Sequence, residues 1–158
     1  MTDIHVRMLQ AAIALSLEKM AAGQGGPFGA IVARGEEIVG RGWNCVTSAN
    51  DPTAHGEVQA IRDACRTLGR FDLRGCILYS SCEPCPMCLG AVYWARLDAV
   101  YYGNTRHDAA AIGFDDEHIY RELALPIGQR RIPFVHLPSD DARAVFQAWT
   151  VKPDKTQY

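Results

Sequence analysis

Nowhere in its 158 residues does this sequence build up an excess of positive charge: 16 Lys and Arg stand against 18 Asp and Glu. A surface so balanced cannot hold a phosphate backbone by charge alone, which argues against nucleic acid as a partner and for a small, weakly charged ligand. No apolar run approaches membrane-spanning length, so no membrane partner is expected. The first residues, Met1 to Val6, include Asp3 and His5 and lead straight into an amphipathic pattern. They lack the charged and apolar blocks of a signal peptide, and the expected compartment is the cytoplasm. Internal repeats and low-complexity linkers are also missing. With 48% hydrophobic residues available for a continuous core, one domain over residues 1–158 is expected.

The patterning along the chain alternates between helix and strand. From Ile4 to Met20, Met8, Ala12 and Leu15 recur at helical spacing, and Gly23-Gln24-Gly25-Gly26-Pro27 cannot continue the helix. Phe28 to Ala33 and Glu37 to Gly42, separated by Arg34-Gly35-Glu36, read as a β-hairpin whose second strand runs out at Trp43-Asn44. A polar loop, Thr47 to Thr53, follows. Val58, Ile61, Cys65 and Leu68 form the stripe of a second helix, with Gly69 as its stop. Cys76 to Ser80 reads as a strand, Pro84 to Ala95 as a helix and Ala99 to Tyr102 as a further strand. A short helix over Glu117 to Ala124, a last strand over Pro133 to Leu137, a last helix over Asp140 to Trp149 and a polar tail complete the expectation. The fold class is α/β, with a parallel or mixed sheet.

Three of the six cysteines crowd into Cys82, Cys85 and Cys88, which favours metal binding over disulfides in a chain without a secretion signal. His55-Gly56-Glu57 opens the second helix and Pro84-Cys85-Pro86-Met87-Cys88 opens the third. This pairing of H-x-E with P-C-x-x-C is the known signature of zinc-dependent deaminases of nucleobases. One imidazole and two thiolates, from His55, Cys85 and Cys88, leave a tetrahedral zinc with a fourth position for water, the mark of a catalytic site. Cys85 and Cys88 share one helix face near its positive end, which favours their thiolates. Zinc acidifies the water it holds, and Glu57 can take that proton and pass it first to a ring nitrogen and then to the leaving amine. Glu57 does not complete a capping box, because Thr53 as N-cap would need its partner at position 56, which is Gly. An iron-sulfur cluster would need a fourth cysteine after Cys88 at a spacing that the chain does not supply. Cys82 is expected to support the site without binding the metal, and Cys45, Cys65 and Cys76 to act as small core hydrophobes.

With these residues in view, the chain resembles the cytidine-deaminase-like superfamily and, within it, the small bacterial guanine deaminases over nearly its whole length. The resemblance is carried by Gly25-Gly26-Pro27-Phe28-Gly29-Ala30, Asn50-Asp51-Pro52-Thr53-Ala54-His55, Ser81 to Ala91, Gly113-Phe114-Asp115-Asp116 and the terminal Tyr158. It implies a three-layer α/β/α fold around a mixed sheet of about five strands. It implies one Zn2+ per subunit on His55, Cys85 and Cys88, with Glu57 as the proton shuttle. It further implies that Asn44, Phe114, Asp116 and Tyr158 line a purine pocket. The chemistry of guanine agrees: Asp116 can accept from a ring N–H, Asn44 can donate and accept, and Phe28 or Phe114 can stack on the base.

In the resembled enzymes the C-terminal tail, here about residues 151–158, is exchanged between the subunits of a homodimer and closes over the partner's site, a low-cost route to a dimer. The implied reaction is hydrolysis of guanine to xanthine and ammonia. The chain departs from the resembled family at Gly56, where Ala is usual, and over Asn104-Thr105-Arg106-His107. Ala111-Ile112-Gly113 is closer to the plant guanosine deaminases, so guanosine stands as an alternative substrate. A tRNA adenosine deaminase shares the zinc motifs and is the other alternative, although it would have to hold the phosphates of an anticodon loop.

Overall fold

A computed structural model of the chain describes residues 3–114 and 116–158. Asp115, from the Gly113-to-Asp116 motif, therefore lies outside the described residues. The chain divides into two compact units, Met1–Ile119 and Tyr120–Tyr158.

The first unit is built on a four-stranded mixed sheet in the order β2-β1-β3-β4, formed by β1 (Gly29–Arg34), β2 (Glu37–Trp43), β3 (Ile77–Cys82) and β4 (Ala99–Asn104). β1 runs antiparallel to both β2 and β3, and β3 runs parallel to β4. Alternation along β1 sends its side chains to two cores, as a period of two requires. Ala30 and Val32 join Ala60, Ala64, Leu78 and Val92 beneath helices α3 (Gly56–Leu68) and α4 (Pro86–Ala95). Ile31 and Ala33 join Met8, Ala12 and Tyr79 beneath α1 (Asp3–Ala21) on the opposite face. The result is the expected α/β/α sandwich.

The seating of α3 depends on missing side chains. The residues it buries most fully are Gly56, Glu57, Ala60 and Ala64, three of them small. Gly56, Ala60 and Ala64 face Gly40 and Gly42 of β2, where an added Cβ would lie 2.4 Å from Ala60 O and 2.2 Å from Ala60 N, respectively. The Val58, Ile61, Cys65, Leu68 stripe flanks this contact, partly buried. The helix ends on Gly69 in the left-handed region (φ 63°), as expected.

Two helices lie beyond the elements that the sequence pattern predicts. Part of the polar loop after β2 is a one-turn helix, α2 (Val46–Ala49), and α5 (Arg106–Ala111) follows β4. Thr105 and Asp108 form a complete capping box on α5, a signal that was present in the sequence as Thr-x-x-Asp. The Glu117 to Ala124 segment is helical as expected and forms α6.

In the second unit, Ile127–Gln129 makes a 3-10 turn and α7 spans Asp140–Val151, with the Ser139 Oγ accepting from Ala142 N–H at 3.2 Å. The strand expected over Pro133 to Leu137 is not formed, so the described residues hold four strands and not about five. Apolar periodicity marks this stretch, but a strand also needs a neighbour to pair with, and Pro133 and Pro138 at its ends have no N–H to donate.

Glycine at 42 and glycine at 56 carry opposite expectations. Gly42→Ala drives a methyl into backbone atoms and should cost about 1–3 kcal/mol or more. At Gly56 the nearest atom to an added Cβ is 3.4 Å away, and Ala is the better helix former by up to about 1 kcal/mol. Gly56→Ala should therefore leave the urea midpoint of the zinc-loaded protein equal or higher, while Gly42→Ala lowers it.

Candidate active site

Two helix starts converge on one point. His55 is the N-cap residue of α3, with extended backbone (φ −74°, ψ 153°), and Cys85 is the N-cap residue of α4, with Pro86 in the first turn. Helical side chains lean toward the N-terminus, so His55, Glu57, Cys85 and Cys88 all project past the helix ends into the same space. His55 Nδ1 lies 3.5 Å from Cys85 Sγ and 3.5 Å from Cys88 Sγ. The three ligand atoms sit within 4.8 Å of one another.

These distances fit zinc. With Zn–N and Zn–S bonds of ordinary length at a tetrahedral angle, a nitrogen and a sulfur on one ion lie about 3.6 Å apart. The donor set is also that of a zinc site with one position left for water.

The electrostatics of the cluster favour a cation. Cys85 is held down to about 4 by the hydrogen bond with Cys88 and by His55, against the effect of burial. Cys88 is pushed well up, first by that same hydrogen bond with Cys85, then by burial and by the Glu57 carboxylate. Its Sγ–H donates to Glu57 Oε2 at 3.5 Å. Cys88 would give up that thiol proton to a divalent ion bound there, since a coordinating thiol is deprotonated outright. His55 is raised by its hydrogen bond with Cys85. Glu57 is only 6% exposed, and burial raises its carboxyl above the usual range, the setting of a group that both takes and returns a proton.

Beside the cluster opens a cavity of about 460 Å³, within the size range of small-molecule sites. His55, Glu57 and Cys85 line it, together with Phe28, Asn44, Phe114 and Asp116. Of the residues expected at the site, Cys88 is the buried ligand behind this lining. The lining is drawn wholly from the first unit; Tyr158, the remaining expected residue, belongs to the second and is 70% exposed.

Asn44 is anchored from both sides. A Cβ on Gly25 (φ 155°) would fall 1.6 Å from Asn44 O, so only glycine permits this contact. Asn44 Oδ1 accepts from Val46 N–H at 3.2 Å, which leaves the amide N–H groups as the donor end. Phe28 and Phe114 meet edge to face, with centroids 4.8 Å apart and planes at 89°. Burial raises the Asp116 carboxyl, and the Cys85 thiolate adds to the effect.

Thr47, Glu83 and Arg106 also line the cavity and were missed in the sequence. Glu83 stood inside the recognised motif without an assigned role, and Arg106 opens the helix that was overlooked. Cys82 is buried at the cavity wall outside the ligand set, as expected, and burial pushes its thiol up to about 11. Cys76 is buried, while Cys45 and Cys65 are half-buried. No helix among the described residues is long and apolar enough to cross a membrane.

Comparison with known proteins agrees with this geometry. Residues 2–104 match the family described as the cytidine and deoxycytidylate deaminase zinc-binding region. The guanine deaminase of Bacillus subtilis (strain 168) is 50% identical over 154 residues, which cover 98% of this chain and 99% of that protein. The X-ray structure of the Bacillus subtilis guanine deaminase superposes with a TM-score of 0.95 at 49% identity, covering 100% of this chain and 99% of that one. The tRNA-specific adenosine deaminase of Haemophilus influenzae is 33% identical over 80% of this chain and 76% of its own length. A protein solved in complex with 2,6-diaminopurine is 32% identical, with a TM-score of 0.65 over 69% of this chain and 61% of that one.

Two substitutions separate holding the metal from using it. Cys85→Ala removes a direct ligand and should weaken zinc binding by more than about 100-fold, since even losing an outer hydrogen-bond partner costs up to that much. Glu57→Ala should keep one zinc per chain while abolishing turnover. Metal analysis after dialysis against a competing chelator checks the zinc content of both variants, and ammonia release checks turnover.

Proposed function

Because the chain belongs to the cytidine and deoxycytidylate deaminase zinc-binding family, we propose that it is a hydrolytic aminohydrolase converting guanine and water to xanthine and ammonia. The observation that carries this reading is the buried Glu57 carboxyl beside the His55, Cys85, Cys88 cluster, at the wall of a cavity that offers both donors and acceptors. Near full-length similarity to the Bacillus subtilis guanine deaminase supports guanine within the wider family.

When bound, zinc supplies Lewis-acid activation that makes water nucleophilic near neutral pH. The remaining steps fall to side chains. Glu57 takes a proton from the attacking water and delivers it to the ring nitrogen next to the reacting carbon. The water oxygen bonds to that carbon, the carbon–nitrogen bond to the exocyclic amine breaks, and the second proton leaves with ammonia. Asn44 offers its amide N–H to an acceptor on the purine edge, and Asp116 accepts from a ring N–H. Phe28 and Phe114 hold the π-face. The raised carboxyl of Asp116 suits a group that binds a neutral base, since a fully solvated carboxylate would keep its water.

The swapped homodimer belongs to the same proposal. Ile132, Phe134, Val135, Leu137, Phe146 and Val151 of the second unit are each more than half exposed, far more large apolar surface than a short segment leaves to water without a partner. A second copy of the chain would cover this surface, and Tyr158 would then close the partner's cavity.

The first test is ammonia release by the zinc-loaded protein from guanine, guanosine, adenine, cytosine and their nucleosides, offered side by side. Release from guanine with little from guanosine is the expected result; a nucleoside preferred over guanine overturns the substrate assignment. Deleting Thr156 to Tyr158 should lower turnover by at least about tenfold with little change in melting temperature. Undiminished turnover in the truncated protein would remove the role given to the tail.

A further inference from the structure

One wall of the cavity has no part in the mechanism above. Glu83 lies just beyond β3 and two residues before the ligand Cys85, and it lines the cavity half-buried. Its backbone N–H donates to Asn104 O at 2.8 Å. Its Oε2 accepts from the backbone N–H of Arg106 at 3.0 Å. From the preceding residue, Cys82 Sγ–H donates to Thr105 O at 3.6 Å. The chain that carries a metal ligand is thus fastened at three consecutive points to residues 104–106.

Those residues start the adjoining part of the cavity lining. In the first turn of α5, the Thr105 N–H is satisfied by Asp108 Oδ2 at 2.8 Å and the Asp108 N–H by Thr105 Oγ1 at 3.3 Å. Next to the capping box, the Arg106 N–H donates to the Glu83 carboxylate. From α5 the connection continues: Phe114 N–H donates to Ala109 O at 3.0 Å, and the Phe114 ring packs edge to face on Phe28. Arg106, Ala109, Phe114 and Asp116 all line the cavity. A helix of six residues does not hold its shape in water on its own, so its position depends on such ties.

We propose that Glu83 is a positioning residue. Its carboxylate, fixed on the Arg106 amide, holds the wall bearing Phe114 and Asp116 in register with the metal ligands. Glu83 thereby sets the affinity for the purine and takes no part in proton transfer. This rests on the purine reading above and adds to it a determinant of binding that lies outside the recognised motif roles.

The test uses the zinc-loaded full-length protein and four variants. Glu83→Gln keeps an acceptor oxygen, and Glu83→Ala removes it. Arg106→Pro deletes the donor, and Arg106→Ala is its reference, since both lose the guanidinium. Proline is well tolerated at the first helical position, and Thr105 already has the extended backbone (φ −86°, ψ 166°) that must precede a proline. The expected result for Glu83→Ala is a KM for guanine raised by at least about tenfold, with kcat within about threefold of wild type. Glu83→Gln should restore KM to within about twofold. Arg106→Pro should raise KM relative to Arg106→Ala, and adding Glu83→Ala to Arg106→Pro should raise it no further. Amide hydrogen exchange over residues 106–112 should quicken at least about tenfold in Glu83→Ala and not in Glu83→Gln. An unchanged KM in Glu83→Ala, a Gln variant as impaired as the Ala variant, or additive effects of the two deletions overturns the proposal. Should Glu83→Ala not fold, the Pro and Ala pair at position 106 decides. A wild-type protein that leaves guanine untouched removes the purine reading instead, and the exchange rates then decide whether the tie exists.

Discussion

Everything chemical in this protein depends on two helix N-termini meeting. His55 caps α3 and Cys85 caps α4, and the imidazole nitrogen stands 3.5 Å from two sulfurs. That meeting is possible only because α3 lies almost on the backbone of β2, over Gly40 and Gly42, with Gly56, Ala60 and Ala64 as its contact face. A side chain at Gly40 or Gly42 would lift α3 away from the sheet and carry His55 away from the cysteines. The positive ends of the two helices add their partial charges, which favour the thiolate of Cys85. Since the site forms only in the folded chain, metal affinity is also folding free energy, and the packing of small residues under α3 is coupled to stability twice over.

Glu57 shows what the fold tolerates for the sake of chemistry. A carboxyl that is 6% exposed is costly to charge, and a core with no reaction to perform would replace it with an apolar residue. Here the same burial raises its proton affinity, and the thiol of Cys88 gives it a donor. Perturbed carboxyls gathered at one cavity, Glu57 and Asp116, are the electrostatic outline of a reactive site. The structure separates them by role: one is deep beside the ligands, while the other is half-buried at the wall with the aromatic pair.

How the second unit is treated by the sequence and by the tertiary structure differs for a physical reason. Its helix α7 is well capped, with Ser139 as the N-cap, and was readable from local spacing, as was α6. The stretch around Phe134 and Val135 has the composition of a strand but forms none among the described residues. β-structure is a property of a pair of chain segments, so composition on one segment does not supply the partner.

By itself the sequence determined the donor set of the metal cluster and the starts and stops of the main helices. These depend on residue type and on spacings of two, three and four, which local backbone geometry converts directly into shared faces. The resemblance extended this to Asn44, Phe114 and Asp116, and the chemistry of a purine to Phe28, all four of which line the cavity, whereas Tyr158 is not among the lining residues. Only the tertiary structure decided that a loop after β2 and a loop after α5 face one another, that α3 rides on glycines, and that Glu83 reaches the Arg106 amide. Each of those contacts joins segments far apart in the chain, and no local pattern records which distant backbone group a side chain will meet once the sheet has brought the two strand ends together.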